Sequence, residues 1–164
     1  MAIHHIVLYK DDPETLRKVS EPVDASDPSA ARLVRDLKDT LGDHPNGIGL
    51  AAPQIGVHQR IVLVCLGAGP PERAPRPPMA LVNPRIIEAG DERKDHDGCL
   101  SFPGLYGMTV RPHHLVVEGY DEEGEPKEWT FEGFDAVVAH HEVDHLEGVL
   151  FIDRVESPLD LYMM

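Results

Sequence analysis

The chain has 164 residues, which predicts one domain spanning residues 1–164 with an ordinary buried core. Apolar residues make up 41% and charged residues 27%, a composition that excludes an intrinsically disordered chain. The formal net charge of −14 argues against nonspecific binding to nucleic acid and against docking on anionic lipid.

The first half of the chain predicts two strands, a helix and a loop. Residues 6–9 are predicted as a short strand. Apolar residues recur at three- and four-residue spacing over residues 28–41, which predicts a helix. A loop rich in glycine and alanine follows at residues 47–56. The β-branched run at residues 60–66 predicts a buried strand, and we interpret Cys65 within it as an ordinary core cysteine.

The second half begins with a proline-rich surface loop at residues 67–79. The remaining predicted elements are, in chain order, strands over residues 81–87, 115–120 and 127–131, a helix over residues 134–147, and a short strand over residues 149–152. Several hairpins and one late helix predict an α+β fold with mainly antiparallel sheets around that helix. The longest apolar run is too short to cross a membrane and the start of the chain does not resemble a signal peptide, so we expect a cytoplasmic protein.

The strongest functional pattern is HExxH at residues 141–145. Residues four apart share one face of a helix, so His141 and His145 can bind one metal ion. Glu142 lies about 100° around the helix from His141 and therefore flanks the ion, where a general base for a metal-bound water is needed. The pattern predicts a metal site with a base beside it.

Two histidines leave such a site one protein ligand short, because catalytic sites usually hold three. Phe151 stands where a metzincin-type protease has histidine, and Glu147 and Glu156 lack an evident helix to present them. An upstream ligand is therefore favoured, and Cys99 is the candidate, since a thiolate suits a borderline-soft divalent metal. An ordinary buried cysteine is the alternative interpretation of Cys99.

Three segments in order along the chain resemble the motifs of the peptide deformylase family. Residues 47–54 match GxGxAAxQ, residues 98–101 match most of EGCLS, and residues 141–145 match HExxH with aspartate before the second histidine. Each motif is weak or moderate evidence alone, but the ordered set is specific and covers nearly the whole chain. The resemblance implies a deformylase-like fold and a hydrolase that removes the N-formyl group from formylmethionine of new polypeptides.

The resemblance also implies roles for individual residues. Cys99, His141 and His145 would bind one divalent metal ion, Fe(II) in the cell, with Zn(II), Ni(II) or Co(II) as alternatives. Glu142 would take a proton from metal-bound water, which attacks the formyl carbon, and pass that proton to the leaving amine.

Further implied residues would hold the substrate. The Gln54 amide and the Leu100 backbone N–H would stabilise the oxyanion, and the Gly49 backbone would hold the substrate amide. An apolar slot for the methionine side chain would be lined by Ile48, Phe134, Val137 and Val138. An interpretation as a plain core residue explains each of these four residues nearly as well.

Two positions depart from the family pattern. Asp97 stands where the family has glutamate, and we expect it to pair with Arg111, directly or through water. His140 stands where the family usually has glutamine, and we interpret it as a packing residue. The histidine pairs at residues 4–5 and 113–114 are interpreted as surface histidines.

The implied partners are N-formylmethionyl peptides and nascent chains, with no direct nucleic-acid binding. Residues 156–164 contain no lysine or arginine, so ribosome docking by a basic C-terminal helix is not expected. Two alternative functions stay open. One is a metallo-amidase acting on another N-acyl group, and the other is a catalytically silent metal-binding homologue.

Overall fold

The computed structural model describes residues 2–69 and 76–164, so part of the predicted proline-rich loop, residues 70–75, lies outside the described residues. The helices are α1 (Pro13–Arg17), α2 (Pro28–Gly42) and α3 (Phe134–Leu146). The strands are β1 (Gly49–Ala51), β2 (Ile61–Val64), β3 (Met79–Gly98), β4 (Leu105–Tyr120), β5 (Pro126–Glu132) and β6 (Leu161–Met163). None of the helices among the described residues has the length and apolar character of a membrane span.

The strands of the described residues form one sheet in the order β1-β2-β3-β4-β5, with β6 added beside β4. Each of these strand pairs is antiparallel. The predicted α+β fold with mainly antiparallel pairing is therefore confirmed.

The two longer helices pack on this sheet through separate apolar clusters. Helix α2 buries the residues that predicted it, namely Ala30, Leu33, Val34, Leu37 and Leu41. Helix α3 packs Val138 and Leu146 among apolar residues of β2, β4 and β5. Ten of its thirteen residues are buried, so α3 is a central helix and it carries the HExxH segment in the interior of the protein. Gly148, at φ 72°, turns the chain where a Cβ would lie 2.2 Å from the carbonyl oxygen of Arg17.

The chain near residues 6–9 is not a strand, so that prediction is wrong. The Val7 N–H donates to the Gln54 carbonyl at 2.7 Å, and the Tyr9 N–H donates to the Ser101 carbonyl at 3.0 Å. Because its hydrogen bonds go to two different segments, this extended stretch joins them instead of forming a ladder with one strand.

Four other predicted elements also differ. Residues 47–56 are not a plain loop, because they contain β1 and a 3-10 turn at Ala52–Ile55. Residues 149–152 are not a strand, since the Asp153 carboxylate accepts from the Leu150 N–H at 2.9 Å and a 3-10 turn forms at Phe151–Asp153. Strands β3 and β4 are much longer than predicted. The second half of β3 is exposed and highly charged and has no apolar alternation, so its sequence does not indicate a strand.

His113 is buried, so its interpretation as a surface residue is wrong. Its Nδ1 lies 3.0 Å from the Arg111 carbonyl oxygen, and its Nε2 lies 3.1 Å from the Asp95 carboxylate. Both ring nitrogens of His113 thus have partners, which is what permits its burial.

His114, the next residue of β4, links β3, β4 and β5 through ion pairs. Its ring contacts Glu88 of β3 and Glu132 of β5, the latter at 2.6 Å. Hydrogen bonds to Glu88 and then Glu132 raise the pKa of His114 above its ordinary value. A histidine with a raised folded-state pKa stabilises the fold at low pH, and that contribution disappears as the pH rises through the raised pKa.

We therefore expect His114→Gln to lower the urea midpoint of unfolding at about pH 6 and to have little effect at about pH 9. His5→Gln, at an exposed histidine, is the control and should change neither midpoint. An equal loss for His114→Gln at both pH values would show that charge pairing does not explain its contribution.

Candidate active site

Cys99, His141 and His145 meet where the end of β3 approaches α3. One ligand atom from each lies within 4.8 Å of the other two, and Cys99 Sγ is 3.4 Å from His145 Nε2. Both histidines are buried. One thiolate and two imidazoles form a donor set that suits a borderline-soft divalent ion, so these residues fit the metal that the HExxH pattern predicts.

The ring of His141 is oriented by Asp97. His141 Nδ1 donates to Asp97 Oδ1 at 2.8 Å, which leaves Nε2 available for an ion. Asp97 Oδ2 accepts from Arg111 Nε at 2.8 Å and from the Thr109 hydroxyl at 2.9 Å. The expected pairing of Asp97 with Arg111 is therefore direct. Burial opposes ionisation of Asp97, but His141 and Arg111 outweigh it and hold the pKa of Asp97 well below its usual range.

Arg111 extends this network into α3. Its Nη1 donates to Asp144 at 2.7 Å, and Arg154 makes two further hydrogen bonds to the same carboxylate. His140 Nδ1 lies 2.8 Å from Arg111 Nη1 and accepts from it, because a guanidinium can only donate. His140 is thus a hydrogen-bond acceptor as well as a packing residue, and burial lowers its pKa to about 4.

Glu142 is buried beside the three candidate ligands. Its Oε1 has no hydrogen-bond partner among the described residues, and burial raises its pKa to about 7. The other oxygen faces Gly49, where a Cβ would lie only 2.4 Å from Oε2. Position 49 therefore needs glycine because the Glu142 carboxylate approaches its backbone so closely.

Gln54 is held with its amide N–H groups directed toward Cys99. Its Oε1 accepts from the Ala51 N–H at 2.9 Å, while its Nε2 donates to the Ser101 hydroxyl at 3.1 Å and lies 3.5 Å from Cys99 Sγ. Ser101 is not among the predicted site residues, although it belongs to the same motif as Cys99. Leu100 follows Cys99 directly and lies at the same cavity.

A cavity of about 920 Å³ brings nearly all the predicted site residues together. Its lining includes Ile48, Gly49, Gln54, Cys99, Leu100, Phe134, Val137, Val138, His141 and Glu142. His145 is not part of that lining and is buried next to Cys99. The four apolar residues predicted for a side-chain slot thus share one space with the candidate base.

Comparison with known proteins gives one consistent family. The family model for polypeptide deformylase matches residues 3–160. The peptide deformylase of Aquifex aeolicus is 42% identical over 155 residues, covering 94% of this chain and 89% of that protein. The crystal structure of a Legionella pneumophila peptide deformylase superposes with a TM-score of 0.83 at 40% identity, covering 97% of this chain and 89% of that one. The Thermotoga maritima peptide deformylase gives a TM-score of 0.84 at 34% identity, covering 96% of this chain and all (100%) of that one.

The fold, the cavity and these relatives define an enzyme that acts on amide bonds, built around an HExxH helix. The chain belongs to the polypeptide deformylase family. Members of this family are metal-dependent and act on N-formyl peptides, and the Cys99, His141 and His145 group is the candidate metal site in this chain.

Proposed function

We propose that this enzyme removes the formyl group from the N-terminal formylmethionine of newly made polypeptides, using one divalent ion held by Cys99, His141 and His145. One observation carries the proposal. The buried Glu142 carboxylate, with an unpartnered oxygen among the described residues, shares its cavity with the candidate ligands Cys99 and His141 and with an apolar wall. We propose Fe(II) as the ion in the cell, and the same donor set suits Zn(II), Ni(II) or Co(II).

When bound, the ion supplies Lewis-acid polarisation of the formyl oxygen and of water. Glu142, whose pKa burial raises above that of an ordinary carboxyl, accepts a proton from water and returns it to the leaving amine. The Gln54 amide, fixed by Ala51 and Ser101, donates to the developing oxyanion together with the Leu100 backbone N–H.

The apolar wall supports methionine as the first residue of the substrate. Ile48, Phe134, Val137 and Val138 line the cavity on the side of β1 and α3. A methionine side chain is unbranched and polarisable, so it fits an irregular apolar slot of this kind. The Gly49 backbone lines the same cavity and would hold the substrate amide.

The proposal is tested by comparing formyl-Met-Ala-Ser with acetyl-Met-Ala-Ser as substrates of the metal-loaded enzyme. We expect formate release to be much faster than acetate release, since the formyl group has only hydrogen on its carbonyl carbon and needs the least room. Faster acetate release would instead favour the alternative function, a metallo-amidase acting on another N-acyl group.

Gly49→Ala is expected to lower kcat by about 100-fold, because a misplacement of about 1 Å in a catalytic group costs roughly that much. The new Cβ would displace the Glu142 carboxylate, which is the end of a flexible side chain, so the fold should be kept. Gly42→Ala is the matched control, since a Cβ there meets nothing within 4 Å. Formate-release kinetics and thermal unfolding of both variants check this, and an unchanged kcat for Gly49→Ala would contradict the placement of Glu142.

A further inference from the structure

We propose that Phe151 is a positioning residue for the candidate metal ligands. Its ring sets the plane of the His141 imidazole and the gap between α3 and the turn that carries Cys99. The inference rests on the proposed function, because the ligands that Phe151 positions are those of the proposed metal site. It gives a role to the aromatic residue that stands where a metzincin-type protease has a histidine ligand.

The ring of His141 needs a second support besides Asp97. The hydrogen bond from His141 Nδ1 to Asp97 Oδ1, at 2.8 Å, fixes one ring atom but allows the imidazole to rotate about that bond. The last torsion of a histidine side chain is broad, so the side chain itself does not select one ring plane. Since Nε2 is the atom left for an ion, a contact against the face of the ring must set that plane.

Phe151 supplies this contact. Its ring is nearly parallel to the imidazole of His141, with planes 20° apart and centroids 6.4 Å apart. Aromatic rings attract each other in offset-stacked arrangements over this range of distances. The ring of His145 is inclined to that of His141 by 61°, so Phe151 is the neighbour that can restrain the plane of His141 by stacking.

The same ring reaches the segment that carries Cys99. Phe102 meets Phe151 edge to face, with centroids 5.1 Å apart and planes 89° apart. The Phe102 N–H donates to the Cys99 carbonyl at 2.9 Å, so Phe102 belongs to the turn that holds the thiol. Cys99 itself packs against the apolar cluster of Leu16, Phe102, Leu150 and Phe151. Phe151 therefore lies between two segments that carry candidate ligands.

The backbone of Phe151 is anchored independently of its ring. The Asp153 carboxylate accepts from the Leu150 N–H at 2.9 Å, and Arg154 donates to Asp144 of α3 at 2.8 Å and 3.0 Å. Phe151 is 1% exposed and is not part of the cavity lining. A smaller side chain at this position should therefore leave the turn in place and affect the ligands, not the binding of substrate.

The test uses Co(II) as the probe and Phe151→Leu as the main variant. Metal-free protein is titrated with Co(II) against a chromophoric chelator, and the visible absorption bands of the bound Co(II) are recorded. For Phe151→Leu we expect the dissociation constant to rise about tenfold, the lower end of the range typical of residues that orient metal ligands, and the bands to shift because the imidazole tilts. On formyl-Met-Ala-Ser, kcat should fall while KM stays near the wild-type value.

Phe131→Leu is the matched control, since Phe131 of β5 is 3% exposed and lies in a separate apolar cluster. It removes the same atoms from an equally buried site, so it should lower thermal stability but keep the Co(II) dissociation constant and the bands. Phe102→Leu should weaken Co(II) binding as well. In the double variant with Phe151→Leu the loss should be smaller than the sum of the two, because both rings act through one contact.

Three results would overturn the inference. The first is a Phe151→Leu protein whose Co(II) dissociation constant and absorption bands match those of the wild type. The second is an equal loss of Co(II) affinity in Phe131→Leu, because weakened packing anywhere in the core would then explain the effect. The third is fully additive losses in the double variant, since the two rings would then act separately. Failure of the wild-type enzyme to bind Co(II) would instead refute the proposed metal site, and this inference with it. Binding of Co(II) without release of formate would refute the proposed activity alone.

Discussion

Glu142→Gln is expected to lower kcat for formate release by about 10²–10⁴-fold, the contribution typical of a general base. The amide keeps the size and shape of the side chain but cannot accept the proton from water. Because Glu142 supplies none of the three candidate ligand atoms, metal content should stay unchanged. Steady-state kinetics on formyl-Met-Ala-Ser and elemental analysis of the same preparations check both parts.

The control for this variant is Glu147→Gln, at an exposed glutamate that pairs with Arg60 and lies just beyond α3. It should retain nearly full activity. Thermal unfolding should show no loss for Glu142→Gln, since a neutral amide is easier to bury than a carboxylate with an unpartnered oxygen. Wild-type turnover by Glu142→Gln would exclude the proposed base.

Cys99→Ala is expected to reduce bound metal from about one ion per chain to nearly none after dialysis, and activity should fall with it. Only His141 and His145 would remain as ligands, and catalytic sites of this kind usually need three. The hydrogen bonds of Asp97 to His141, Thr109 and Arg111 do not involve Cys99 and stay intact in this variant. The loss of metal therefore measures the contribution of the thiolate alone.

Cys65→Ala is the matched control, because the chain has only these two cysteines. Cys65 is 5% exposed and lies in the apolar cluster beneath α2. Burial raises the pKa of its thiol, which keeps it protonated and unsuited to a metal. Cys65→Ala should therefore keep its metal, and equal retention by both variants would show that Cys99 is not a ligand.

The candidate ligands could be predicted because their pattern is local. His141 and His145 are one helical turn apart, and Cys99 lies in a motif whose order along the chain is specific. The central helix and α2 were predicted for the same reason, since their apolar spacing is visible within a few residues.

Most partners of the site residues could not be predicted, because they depend on contacts between distant segments. The pairing of Asp97 with Arg111 was expected only from the family resemblance. Arg111 reaches Asp144 from another element, and no spacing rule joins β4 to α3. The outer half of β3 is held by its pairing with β4 and not by an apolar pattern, so its sequence does not indicate a strand. His113 looked exposed for a similar reason, since its burial depends on Asp95 from the neighbouring strand.

The chain of contacts from Asp97 through Arg111 and Asp144 to Arg154 alternates in sign and sums to electrical neutrality. The protein as a whole is strongly anionic, but this row of ion pairs behind the candidate ligands carries no net charge. A cation at this site would therefore be held by its coordinating atoms and not by the long-range negative potential of the surface. Since added salt screens only the latter, the dissociation constant of the ion should hardly change with ionic strength.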